Sequence, residues 1–236
     1  MSWSEITFSQ LQRRVEHASA WLVQSNVTAG RVLRSDSVSP VAIFLSSDIT
    51  IFMYLVALLR TGTPVSDQSF YFVYPHKSSI LMSMPGKALL LSPRLPPVSV
   101  AHLLRETRTS VVLTGAHLIR IVDEARVILL AGENHCDVRI IDAPGFFDVD
   151  FRLEGCDFKI PPVYTGYEYS DLDAVIMHTS GSTGLPKPIY HAQAYPLLYA
   201  TCHRLPAESE PFNFNFSTLP LYHVRKSSQS TFKSYF

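Results

Sequence analysis

Short apolar runs alternate along this chain with longer stretches of helical periodicity. "VAIFL" (Val41 to Leu45), "ALLLS" (Ala88 to Ser92), "VVLT" (Val111 to Thr114), "VILLA" (Val127 to Ala131), "VRIID" (Val138 to Asp142) and Ala174 to His178 are strand-like. They lack polar alternation, which suits strands covered on both faces. Between them lie helical patterns. Thr7 and Gln10 form a capping box ahead of Leu11, Val15, Ala18 and Leu22, predicting a helix over about residues 8 to 25. Asp48 is placed to cap a second helix running to about Arg60. "SVAHLLRET" predicts a third, capped by Ser99 or starting slightly earlier, and "AHLIRIVDEA" a fourth. "AQAYPLLYATCHRL" is helix-like, with Pro196 tolerable only near its first turn. Strands alternating with helices imply an α/β fold: a mostly parallel sheet with helices on both faces.

Three stretches break the rhythm. Residues 143 to 170 read as irregular connection. Val65 to Lys87 is aromatic and serine-rich without clean periodicity, and Val224 to Phe236 is polar. The apolar stretch Val41 to Leu59 invites comparison with a membrane span. Ser46, Ser47 and Asp48 interrupt it, and the run after Asp48 is about half the length of a span. A buried strand, a turn and a buried helix fit it better.

Composition narrows the class. Of 236 residues, 47% are hydrophobic and 17% charged, against about 25% charged in an average chain, so one larger domain with a sizeable core is expected. Twenty basic and twenty acidic residues cancel, which argues against nucleic acid and anionic membrane as partners. Cys136, Cys156 and Cys202 form no C-x-x-C pair, and the N-terminus lacks a basic patch followed by an apolar core. A reducing, cytoplasmic setting is expected, in which the sequons at Asn26 and Asn215 are chance matches. Cys202 and His203 are adjacent, but no other ligand stands at useful spacing, so no residue is assigned to a metal.

The chemistry concentrates in "MHTSGSTGLPKPIYH", Met177 to His191. A strand leading into Thr179, Ser180, Gly181, Ser182, Thr183 and Gly184 brings backbone N–H groups and hydroxyls to one point. Such a nest binds anions, and Lys187 adds a point charge. Glycine lets the backbone approach a ligand closely. This is not a Walker A loop, because Leu185 and Pro186 separate Gly184 from Lys187. Nor is it a nucleophile elbow, because Ser180 stands where G-x-S-x-G needs glycine. A flexible linker is the bland alternative, but linkers rarely leave a buried strand and end in Pro-Lys-Pro. His178 and His191, which flank the loop, read as packing or supporting residues.

"TSGSTGLPK", unbroken from Thr179 to Lys187, resembles the phosphate loop of the adenylate-forming superfamily: acyl-CoA synthetases, luciferases and the adenylation domains of nonribosomal peptide synthetases. "LPLYH", Leu219 to His223, resembles a second motif of that family. "ITFSQLQRRVEHASAWLVQSNV", "VAIFLSSDITIFMYLVALLRTG" and "LLLSPRLPPVSVAHLLRETRTSVVLTG" are similar to its opening helix, its first strand and helix, and the next βαβ unit. "HTSGSTGLPKPIYH" and "LLLSPRLPP" look most like fungal synthetase-like enzymes, including carboxylic acid reductases that carry adenylation, carrier and reductase domains.

The resemblance implies that a small-molecule carboxylate attacks the α-phosphate of ATP, usually with Mg²⁺, giving an acyl-adenylate and pyrophosphate. The acyl group then passes to the thiol of CoA or of a carrier domain's phosphopantetheine. By position, Thr179, Ser180, Gly181, Ser182, Thr183 and Gly184 would wrap the phosphates. Lys187 would stabilise the loop or the phosphate charge, and His223 would sit at the mouth of the carboxylate and thiol pocket. Alone, His223 would read as an inert strand-end histidine; "LPLY" before it favours the functional reading.

The family's adenine motif, ribose-binding aspartate, hinge and C-terminal catalytic domain all lie beyond "LPLYH". The expectation is therefore the front part of an adenylation domain over residues 1–223, with an atypical insertion at 65–87 and a non-family tail at 224–236, inactive in adenylation by itself. The alternatives are a non-catalytic nucleotide-binding pseudoenzyme, a gene-model artefact, or a phosphate-binding module unrelated to carboxylate activation. Deleting Val65 to Lys87 joins "LLRTGTP" to "ALLLSPRLPP", close to how the family reads. Val-Ser and Val-Arg, which open the two odd segments, can be encoded by splice-donor-like codons. A retained intron and a real surface insertion are the two readings, and the transcript sequence decides between them.

Overall fold

Thr7 opens the first helix as its residue type asks. In the computed structural model, which describes residues 6–27, 39–61, 63–64, 83–84, 87–132, 136–149, 173–180, 184–192 and 195, the Thr7 hydroxyl accepts from the Gln10 N–H at 3.2 Å. The Gln10 side chain accepts from the Thr7 N–H at 2.8 Å. This capping box starts α1 (Phe8–Gln24). β1 (Val41–Phe44) follows, then α2 (Ile49–Thr61). The Asp48 carboxylate accepts from the Thr50 N–H at 2.7 Å, satisfying one of the orphan donors of the α2 terminus. The apolar stretch Val41 to Leu59 is thus a strand, a turn and a helix, and no described helix is long and apolar enough to cross a membrane.

The later elements are β2 (Thr63–Pro64), β3 (Ser83–Met84), β4 (Ala88–Leu90), α3 (Pro97–Glu106), β5 (Val111–Thr114), α4 (Ile119–Ala131), β6 (Arg139–Asp142), β7 (Asp173–His178) and β8 (Pro188–Ala192). Six strands form one sheet in the order β6-β5-β1-β4-β7-β8, parallel except for β8 against β7. Side chains alternate across it. Val41, Ile43, Ala88, Leu90, Val111 and Leu113 pack under α1 and α2. Ala42, Phe44, Leu89, Val112 and Ile176 pack under α3 and α4. Both faces are covered, as the apolar runs require.

Two expectations are corrected and one open start is decided. "VILLA" is not a strand but the second half of α4. Its buried positions Val122, Ala125 and Leu129 recur at helical spacing, while Val127 is 64% exposed and Leu129 fully buried. In a strand, residues 127 and 129 would share one face. Of the two starts open for α3, a cap at Ser99 or a slightly earlier one, the earlier holds. Pro96 is its N-cap and Pro97 its first residue, where a missing N–H costs nothing, and Ser99 lies buried inside the helix. Finally, the loop after β7 returns as β8 before any further helix. Of "AQAYPLLYATCHRL", Ala192 ends β8 and Tyr195 is helical; the rest lies outside the described residues, as do residues 150–170 of the irregular connection. Of the odd segment Val65 to Lys87, only Ser83, Met84 and Lys87 are described. Ser83–Met84 pairs antiparallel with Thr63–Pro64.

Candidate functional site

The carboxyl ends of the parallel strands share one edge of the sheet. At β1 and β5 the following helices, α2 and α4, leave on opposite faces, so the chain parts there as at ligand-binding switch points of open α/β sheets. Ser46 after β1 and His117 after β5 meet across this point, Oγ to Nε2 at 2.8 Å. Ser92 after β4 and Thr179 after β7 stand on the same edge.

β7 and β8 form a hairpin, and residues 179–187 are its loop. His178 faces Pro188 in the ladder. Beyond it the loop is tied at the neck: the Thr179 N–H donates to the Lys187 carbonyl at 3.1 Å, and the Lys187 N–H donates to the Thr179 hydroxyl at 3.0 Å. The hydroxyl uses a lone pair there and keeps its own proton to donate. Thr179, Ser180, Gly184 and Lys187 are exposed, whereas Pro186 is buried. Gly184 has φ +149°, a backbone region that disfavours a side chain, and open space lies where a Cβ would be. Among the described residues no acidic side chain pairs with Lys187.

The β4–β7 pair is pinned at both ends. Lys87 Nζ lies 3.7 Å from the Asp173 carboxylate at the amino end. At the carboxyl end the Ser92 N–H donates to His178 Nε2 at 3.1 Å, and His178 Nδ1 lies 2.8 Å from the Thr179 carbonyl. His191 on β8 stacks on Tyr195, ring centroids 4.2 Å apart. Its Nε2 is buried without a hydrogen-bond partner among the described residues, and burial pushes its imidazole below the ordinary range. Burial, then the Asp173 and Glu106 carboxylates, push the Tyr190 phenol up, against the opposing Arg108.

Thr179 and Lys187 are therefore brought together by backbone pairing, with Ser180 and Gly184 on the same loop. Gly181, Ser182, Thr183 and His223 lie outside the described residues, as do Cys156, Cys202 and His203. No group of three or more metal-ligating side chains occurs among the described residues. Sequence reasoning missed Ser92, which acts through its backbone and so carries no motif. It also missed β8, although Pro188 at a strand's first position before Ile-Tyr was a usable signal.

A mostly parallel α/β sheet whose carboxyl edge carries a tied Ser/Thr/Gly/Lys hairpin defines the class: an α/β protein with a candidate anion-binding loop. Comparison narrows it: a family model for AMP-binding enzymes matches residues 82–230, and the chain belongs to that family. It is 29% identical over 189 residues to an adenylate-forming reductase of Aspergillus terreus (strain NIH 2624 / FGSC A1156), covering 78% of this chain and 15% of the relative. It is 27% identical over 222 residues to the adenylate-forming reductase stbB of Stachybotrys bisbyi, covering 92% and 18%. The chain thus spans less than a fifth of the length of these relatives. Among solved structures, o-succinylbenzoate coenzyme A synthetase (MenE) of Bacillus subtilis, in complex with ATP and magnesium ion, shares the fold. The TM-score is 0.62 at 19% identity, covering 93% of this chain and 36% of that one.

Proposed function

We propose that these residues supply the triphosphate-binding part of an acyl-adenylating enzyme, within a domain whose front part is residues 1–223. The observation that carries this is the hairpin loop tied by Thr179 and Lys187, with Ser180, Gly184 and the Lys187 ammonium exposed around it. The residues suit a polyphosphate: hydroxyl and N–H donors, an open glycine and one cation without a described acidic partner. Ser180 and the loop that follows would hold the β- and γ-phosphates while the α-phosphate is attacked by a carboxylate. Lys187 would oppose the charge that develops on pyrophosphate as it leaves. Magnesium, when bound, would share that charge. His223 is assigned to the carboxylate and thiol pocket on its place in "LPLYH", with CoA or a carrier domain's phosphopantetheine as acceptor and the cytoplasm as setting.

The 236-residue chain alone is expected to bind Mg-ATP without forming acyl-adenylate, because it spans so small a share of its relatives. Titration calorimetry with Mg-ATP tests the binding. No heat with the wild-type chain would defeat the phosphate reading. Binding without any role in carboxylate activation, as in a pseudoenzyme, is the second reading. It would be favoured if a chimera that continues these residues with the remaining adenylation domain of a relative also failed to exchange pyrophosphate into ATP with any carboxylate.

A further inference from the structure

We infer that His178 is a positioning residue that aims the Ser180 amide of the loop at bound phosphate; this rests on the phosphate reading above. The ring lies between two backbone groups of opposite character. Nε2 faces the Ser92 N–H at 3.1 Å and must accept; Nδ1 faces the Thr179 carbonyl at 2.8 Å and must donate. Both conditions hold together only for the neutral ring with its proton on Nδ1, a tautomer assigned from these partners. The carbonyl that Nδ1–H holds belongs to the Thr179–Ser180 peptide. No described peptide bond is cis, and in a planar trans peptide the N–H points opposite the C=O. Holding the Thr179 carbonyl toward His178 therefore fixes the Ser180 N–H pointing away from it.

Two further contacts complete the restraint. The Thr179 N–H is held by the Lys187 carbonyl, so the peptides on both sides of Thr179 are fixed. Ser92 follows β4, which pairs in register with β7, so the ring is referred to the sheet rather than to the loop. Hydrogen bonding at the carbonyl also polarises the peptide and strengthens the Ser180 N–H as a donor. His178 thus acts on the ligand through Ser180, without touching it.

The test separates geometry from binding. In the wild-type chain, ¹⁵N spectra should show His178 neutral and protonated at Nδ1. His178→Asn offers an amide N–H at the topological position of Nδ1 and should keep the Ser180 amide resonance and most of the Mg-ATP affinity. His178→Leu should shift that resonance and weaken Mg-ATP binding about tenfold, the scale of one lost hydrogen bond. A ring protonated at Nε2, or a His178→Leu chain with an unmoved Ser180 resonance and unchanged affinity, would overturn the inference. If the wild type binds no Mg-ATP while the Nδ1–H tautomer and the Ser180 shift are present, the phosphate reading fails and the orientation of Ser180 by His178 is still supported.

Discussion

At the scale of single residues, the loop separates side chains that shape it from side chains that face solvent. Lys187 does both: its backbone ties the neck while its ammonium is exposed. Lys187→Ala should leave the urea midpoint almost unchanged, within about 0.5 kcal/mol. It should still weaken Mg-ATP binding about tenfold or more, since hydrogen bonds to charged groups are worth about 1.5–3 kcal/mol; equal affinities would remove the side chain from the site. Gly184→Ala meets no steric contact, so its cost comes from φ +149° alone. A loss of about 1–3 kcal/mol is expected in chemical denaturation, and none if the loop relaxes freely. His191 makes a pH prediction. Burial lowers its folded-state value, so as pH falls the unfolded chain takes up the proton first. The stability due to its neutral ring is complete above the ordinary histidine value of about 6.5. It is lost progressively below that, until the folded ring also titrates. Between about pH 7.5 and 5.5, wild type should lose urea resistance faster than His191→Phe, a variant that keeps an aromatic ring against Tyr195; parallel losses would clear His191. The loop's residue types were legible from sequence because glycine, hydroxyl and lysine chemistry is local. The partner of His178 was not, because Ser92 contributes a backbone N–H from 86 residues away, and any residue but proline could supply it.

Elements were legible where one periodicity had no rival. The capping box gave α1 its start, and Asp48 gave α2 its start. β1, β5 and β7 follow apolar runs too short to be helices. α4 shows how the reading fails: "VILLA" is apolar and opens on the β-branched Val127 and Ile128, yet it continues a helix already under way. The difference is measurable. Leu129→Ala should cost about 2–5 kcal/mol, while Val127→Lys should cost less than about 0.5 kcal/mol, because α4 turns one inward and the other to solvent. Two large, similar losses in equilibrium unfolding would restore the strand. β8 escaped notice for another reason. It is an edge strand of mixed burial, and its pairing with β7 is the product of the hairpin rather than of its own pattern.

At the scale of the whole molecule, the order β6-β5-β1-β4-β7-β8 brings Ser46, Ser92, His117 and the 179–187 loop to one edge of the sheet. The span of 15–18% of the curated relatives is the basis for one more expectation. The 236 residues alone should give no carboxylate-dependent exchange of pyrophosphate into ATP, and clear turnover by the pure chain would refute it. By itself the sequence determined the α/β class, most of the elements and the hydroxyl, glycine and lysine composition of the stretch Thr179 to Lys187. Those follow from periodicity and from residue types acting on near neighbours. Only the tertiary structure decided that α4 runs through "VILLA", that the loop is a hairpin closed by β8, and that Ser92 holds His178. These depend on which face each side chain finds covered, and on backbone groups that meet only when β4 and β7 are paired.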